Sequence, residues 1–221
     1  MKDLQSCVFR DSLTSLPALT VSNFDSYVLT DKYRLGYIDH FYNEYFEGLS
    51  HSIDTFLEIG VSGGGSLELW ANYFPSSTSI YAVDIDGDCL DTPRLEQLDR
   101  ERAEPIFKIA GDACSEEILT HFNDDFFDII VDDGSHNLKS QGTVLQNFYK
   151  KLKKGGSLII EDILSDNNMR ELKLLAQSMG YSQIVPFAMS PHLKIDLFDP
   201  VRHKSYLKTL QSFVGLLHLI K

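Results

Sequence analysis

The chain has 221 residues, 43% of them hydrophobic, and a formal net charge of −12 at pH 7. That length suits one domain with a full core. The acidic balance argues against a nucleic-acid backbone as partner, and no apolar run is long enough for a bilayer-spanning helix.

The N-terminus, MKDLQSCVFRDSL, has no apolar stretch of signal-peptide type, so the expected location is cytoplasmic. Cys7, Cys89 and Cys114 form no CxxC pair, which disfavours a disulfide framework and a structural zinc site. The first 25 residues are weakly patterned. TDKYRLGYIDHFYNEYFEGL (30–49) predicts an aromatic-rich helix, with Tyr37, Phe41, Tyr42 and Tyr45 in a stripe suited mainly to core packing. From residue 55 strand-like runs alternate with helical ones, the pattern of a Rossmann-like, doubly wound α/β fold: a mostly parallel sheet with helices on both faces. TFLEIGV (55–61) reads as the first strand, SLELWANYF (66–74) as a helix, SIYAVDID (79–86) as the second strand and PIFKIAGDA (105–113) as the third. FFDIIVDDG (126–134) is the fourth. SQGTVLQNFYKKLKK (140–154) reads as an amphipathic helix stopped by Gly155-Gly156, with Lys150 to Lys154 complementing its C-terminal dipole. SLIIED (157–162) is the fifth strand, 166–179 is helical, and YSQIVPFAM (181–189) is a sixth strand. LKIDLF (193–198) takes no assignment, and VGLLHLIK (214–221) is either a strand or a helix end. The expected organisation is a single domain over 1–221, with a helical lead-in over 1–50 and the core over 51–221.

Two apolar runs end in acids: DIIVDDGSH (128–136) and IIED (159–162). As buried parallel strands ~4.8 Å apart, they bring Asp133, Glu161, Asp162 and His136 together at a rim where one hard cation can be shared. Ligands of open α/β sheets sit outside the carboxyl ends of the strands. The glycine loop EIGVSGGGS (58–66) follows the first strand and permits close backbone approach to a ligand at the next helix N-terminus. It matches neither a P-loop, because Ser66 stands where lysine is required, nor GxGxxG in any register. The second strand ends in Asp84, suited to ribose hydroxyls, with Asp86 as its near competitor; Asp112 ends the third, where an adenine amino group would fall. Asp132 takes a supporting or cofactor-side role. The plainer readings are a solvated strand end or cap for Asp84 and Asp112, a helix-capping loop residue for His136, and an acidic helix N-terminus for Glu161-Asp162. His40, His51, His121, His192, His203 and His218 have no metal-ligand spacing with one another.

Over roughly residues 30–165 the chain resembles the class I S-adenosylmethionine-dependent methyltransferases. Glu58, Gly60, Gly64 and Ser66, with Ser62 in the same loop, match the motif that holds the methionine part of that cofactor. The segment DDGSH, then an apolar helix, Gly-Gly and IIED, is similar to the metal-dependent sugar O-methyltransferases of the macrocin and mycinamicin type; the Thr30-Asp31-Lys32 triplet echoes them too. The resemblance implies Mg²⁺ bound by Asp133, Glu161 and Asp162, with His136 as general base. It implies methyl transfer to a hydroxyl of a sugar or glycosylated small molecule. A catechol-like diol, an amine acceptor and a non-catalytic cofactor-binding protein are the alternatives. The apolar C-terminus either buries in a homo-oligomer or closes the domain's own sheet.

Overall fold

The structure, a computed structural model, describes residues 30–32, 35–47, 49, 52–189 and 213–221. Cys7, His51, His192, His203 and the LKIDLF run therefore lie outside the described residues.

Seven apolar runs form seven strands: β1 (Thr55–Ile59), β2 (Ser79–Asp84), β3 (Ile106–Ala110), β4 (Phe127–Asp132), β5 (Leu152–Ile163), β6 (Gln183–Ala188) and β7 (Gly215–Ile220). Their order in one sheet is β3-β2-β1-β4-β5-β7-β6. β1 pairs parallel with both β2 and β4, so the chain winds outward in both directions from this point. Only β7 runs against the rest; it lies between β5 and β6 and pairs antiparallel with both. The C-terminal apolar run is thus a strand that completes the domain's own sheet.

Side-chain alternation divides the core between the two faces of the sheet. Phe56, Ile129, Ile159 and Leu216 pack on one face with Trp70, Leu95 and Tyr42. Leu57, Ile130, Ile160 and Leu217 pack on the other with Val144, Phe148 and Leu172. A π-helical turn (Ile38–Tyr42) runs into α1 (Asn43–Phe46). The remaining helices are α2 (Gly65–Tyr73), α3 (Pro93–Glu101), α4 (Glu116–Leu119), α5 (Leu138–Phe148) and α6 (Asp166–Met179). Among the described residues no helix is long and apolar enough to cross a membrane.

Three local expectations are corrected. The amphipathic helix ends at Phe148, and Gly155-Gly156 lies inside β5. Leu152 is fully buried and already pairs with Phe127, and the glycines absorb a register shift before Ser157 pairs with Ile129. The lysines after the helix are anchored elsewhere: Lys151 donates to the Phe122 carbonyl at 2.8 Å, and Lys153 pairs with Asp128 at 2.9 Å. The aromatic lead-in helix is shorter than expected, running unbroken over 37–46, and its first part is a π turn. α3 was not anticipated, although Thr92 as cap and Pro93 in the first turn are its start signal.

His218 on β7 is buried against Phe41 and Tyr45. Its Nε2 lies 3.1 Å from the Ser157 hydroxyl oxygen, which accepts from the Tyr45 hydroxyl at 2.6 Å. Burial pushes its pKa down to about 4. The unfolded chain, with a histidine pKa of ~6.5, takes up this proton first as pH falls. Folding stability should therefore drop by on the order of 3 kcal/mol between pH 6.5 and 4 from this group alone. In urea titrations across that window, His218→Gln should flatten the pH dependence; an unchanged slope would show that His218 is solvated.

Candidate active site

β4 delivers Asp132 and Asp133, after which Gly134, Ser135 and His136 turn the chain into α5. The cap of α5 is Asn137, whose side chain accepts from the Ser140 N–H at 2.9 Å, so His136 is released from that duty. Glu161 and Asp162 end β5 itself and do not begin a helix; α6 starts at Asp166 with Ser165 as its cap. Because Asp132 pairs with Ile160, Glu161 stands level with Asp133 on the neighbouring strand. Four non-glycine residues among those described have positive φ, and three of them, Ser62 (47°), His136 (54°) and Asp162 (49°), are at this rim. Side-chain-bearing residues in that region are held against a conformational cost.

A lysine occupies the centre of the acidic cluster. Lys32 has no solvent exposure, and its Nζ lies 2.6 Å from Asp133 Oδ2, 2.6 Å from Glu161 Oε2 and 3.6 Å from Glu58 Oε1. Burial works against its charge, but the Asp133, Glu161 and Glu58 carboxylates outweigh that and hold its pKa well above the usual lysine value. Burial pushes Glu58 up to about 7 even with Lys32 opposing. Ser66 and Trp70 lean on the Glu58 carboxylate without closing a well-formed hydrogen bond.

Two tyrosines complete the support. Tyr42 donates its hydroxyl to Glu161 Oε1. Tyr37 donates to Asp162 Oδ1 at 2.5 Å and accepts from the Asp162 N–H at 3.0 Å. In an α-helix, residues five apart point about 140° away from each other. The π turn, closed by Asn43 N–H on the Ile38 carbonyl, brings them to one side, which is how Tyr37 and Tyr42 both reach the end of β5.

Beside the cluster opens a cavity of about 640 Å³ at the carboxyl ends of β1, β2 and β4, within the size range of small-molecule sites. Gly60, Ser62, Asp84, Asp112, Asp132, Asp133 and His136 are in its wall. Asp84 Oδ2 accepts from the N–H groups of Val61 (2.7 Å) and Ser62 (3.1 Å) and so clasps the glycine loop. Asp86 is spent on its own turn, accepting from the Asp88 N–H. Asp112 accepts from the Cys114 N–H at 2.8 Å. Asp132 is buried, its Oδ2 has no partner, and burial pushes its pKa up to about 6. An unsatisfied carboxylate oxygen in a cavity wall otherwise rich in acids fits a ligand that offers hydrogen-bond donors or positive charge. The cradle itself depends on Gly60: a Cβ there would lie 2.2 Å from the Asp133 carbonyl oxygen. For a divalent ion, Asp133, His136 and Asp162 each offer a ligand atom, all within 4.8 Å of one another. Both oxygens of Glu161 are already engaged, by Lys32 and Tyr42.

Residues 57–163 match a family described as a methyltransferase domain. A 3'-O-methyltransferase of Streptomyces olivaceus, named for 8-demethyl-8-(2-methoxy-α-L-rhamnosyl)-tetracenomycin C, is 31% identical over 55% of this chain and 31% of its own length. The mycinamicin VI 2''-O-methyltransferase of Micromonospora griseorubida is 30% identical over 65% of this chain and 36% of its own. Among solved structures, an O-methyltransferase from Bacillus cereus in complex with S-adenosylhomocysteine superposes with a TM-score of 0.57 over 99% of this chain and 90% of that one, at 13% identity. Residues 57–163 thus resemble the methyltransferase-domain family, on a fold shared with solved methyltransferases. The chain spans about a third of the length of these two curated relatives.

The expected site residues fall into two groups. Gly60, Ser62, Asp84, Asp112, Asp132, Asp133 and His136 face the cavity. Glu58, Ser66, Glu161 and Asp162 are buried, and Gly64 opens α2 at φ 76° against Leu95. Sequence reasoning missed the roles of Lys32, Tyr37 and Tyr42. The signal available was a lysine before an aromatic stripe with two tyrosines five residues apart.

Gly60 combines φ 87° with a backbone neighbour that cannot swing away. Gly60→Ala should cost about 2–4 kcal/mol in chemical denaturation. Gly63→Ala, which meets nothing within 4 Å, should stay within about 1 kcal/mol of wild type. Equal losses at the two positions would contradict the close approach of β1 to β4.

Proposed function

We propose that this domain transfers a methyl group from S-adenosylmethionine to a hydroxyl of a sugar on a glycosylated small molecule, with Mg²⁺ at the acidic cluster and His136 as general base. The observation that carries this reading is the convergence of Asp133, His136 and Asp162 at the edge of a cavity whose wall holds Asp84, Asp112 and Asp132. The two curated relatives, named for O-methylation of rhamnosyl tetracenomycin and of mycinamicin VI, support the same acceptor class.

When bound, S-adenosylmethionine supplies an activated methyl group, and Mg²⁺ a hold on vicinal hydroxyls that lowers the pKa of one. What remains for the chain is positioning and proton removal. Gly60 and Ser62 line the methionine side of the cavity. Asp84 would hold the ribose hydroxyls and Asp112 the adenine amino group. The acidic wall suits the positive charge of a sulfonium and an amino group. Asp133 and Asp162 would hold the ion, and Tyr37 fixes the rotamer of Asp162. The His136 side chain is 31% exposed at the cavity edge, while its Nδ1 is buried and has no hydrogen-bond partner. As general base, the imidazole would take the hydroxyl proton as the methyl arrives.

Calorimetry should show S-adenosylhomocysteine binding to the protein. Methyl transfer to a rhamnoside or a similar vicinal-diol acceptor should stop with a chelator and return with Mg²⁺. His136→Ala should lower kcat by about 10²–10⁴ while S-adenosylhomocysteine affinity stays near wild type. Turnover that survives chelation would remove the metal from the mechanism. Failure to bind S-adenosylhomocysteine would remove methyl transfer altogether.

A further inference from the structure

Lys32 supplies a positive charge inside the cluster that the metal-dependent reading gives to an ion. Its ammonium bridges Asp133 Oδ2 and Glu161 Oε2 at 2.6 Å each, stands 3.6 Å from Glu58, and is sealed from solvent. With Tyr42 on its other oxygen, Glu161 has both oxygens engaged without an ion. Asp133 accepts from Lys32 through Oδ2, and a carboxylate oxygen of Asp133 also lies within 4.8 Å of ligand atoms of His136 and Asp162, a group that does not include Glu161. The cluster is therefore already divided into two sides by the chain's own charges.

We propose that Lys32 is a positioning residue: its ammonium fills the Glu58–Asp133–Glu161 side of the cluster and confines the site to one divalent ion on the Asp133–Asp162 side, with Glu161 a partner of lysine rather than a ligand of the ion. The inference rests on the metal-dependent reading above and adds the division of labour among its carboxylates. A fixed charge has two consequences. It keeps the carboxylates oriented before any ion arrives, and it opposes the ion electrostatically, so removing it must strengthen ion binding.

The test is calorimetric titration of Mn²⁺ into wild type and the Lys32→Met, Glu161→Gln, Asp162→Asn and Lys32→Met/Glu161→Gln variants. Wild type should bind one ion. Lys32→Met should bind it at least about tenfold more tightly, because a unit positive charge has left its neighbourhood. The double variant, which loses one charge of each sign, should return to within about threefold of wild type. Glu161→Gln should also keep the ion, while Asp162→Asn should lose about a hundredfold or more in affinity, as expected for a true ligand. Two ions on wild type, no tightening in a folded Lys32→Met protein, or loss of the ion in Glu161→Gln would each overturn the proposal. If Lys32→Met does not fold, the contrast between Glu161→Gln and Asp162→Asn decides it. If wild type binds no ion but Lys32→Met does, Lys32 does stand in a cation's place and it is the metal-dependent reading that falls. If no protein in the set binds an ion, both fall.

Discussion

Carboxylates gathered at adjacent strand ends inside a protein must either stay protonated or be met by positive charge and hydrogen-bond donors. Each buried carboxylate loses several kcal/mol of hydration, and like charges a few ångströms apart add to that penalty. Here Glu58, Glu161 and Asp162 are all at or below 2% exposure, and Asp132 is nearly so. Lys32 brings one positive charge to Glu161 and Asp133 and within 3.6 Å of Glu58, and Tyr37 and Tyr42 supply hydrogen bonds for oxygens it does not reach. The acidic rim, the π turn and the lead-in segment are consequences of one electrostatic requirement.

The sheet meets that requirement through its order. β1 is central, with β4 on one side and β2 on the other, so the chain diverges at this point and leaves a crevice at the carboxyl ends. The register of β4 on β5 aligns the Asp133 and Glu161 levels, and β7 closes the other side of β5 so that Glu161 and Asp162 are not at an edge. The cavity wall and the Asp133–His136–Asp162 cluster share Asp133 and His136.

Much of this was legible in the sequence because it is local or periodic. The apolar runs of β1, β2, β4 and β6, the glycine loop and the helix over 166–179 follow from patterning, and the strand-end acids follow from the runs they terminate. Gly155-Gly156 misled because a glycine pair after a helical stretch looks like a stop; only the pairing of Leu152 with Phe127 reveals a bent strand. The lead-in misled because α-helical spacing hides a π turn, whose existence depends on where two tyrosine hydroxyls must go. Lys32 was beyond reach for a simpler reason. Its partners Asp133 and Glu161 are 101 and 129 residues away, and no local rule connects them. For the same reason Glu58, equivalent in spacing to a cofactor-loop acid, is found buried beside that lysine rather than in the cavity wall.

We propose that Lys32 and one divalent ion divide the acidic cluster between them. The most direct measurement is a crystal structure of the protein with Mn²⁺ and S-adenosylhomocysteine, with the ion located by its anomalous scattering. The account predicts a single peak against Asp133 and Asp162, with Lys32 still on Glu161. A peak between Asp133 and Glu161 with Lys32 displaced would contradict it.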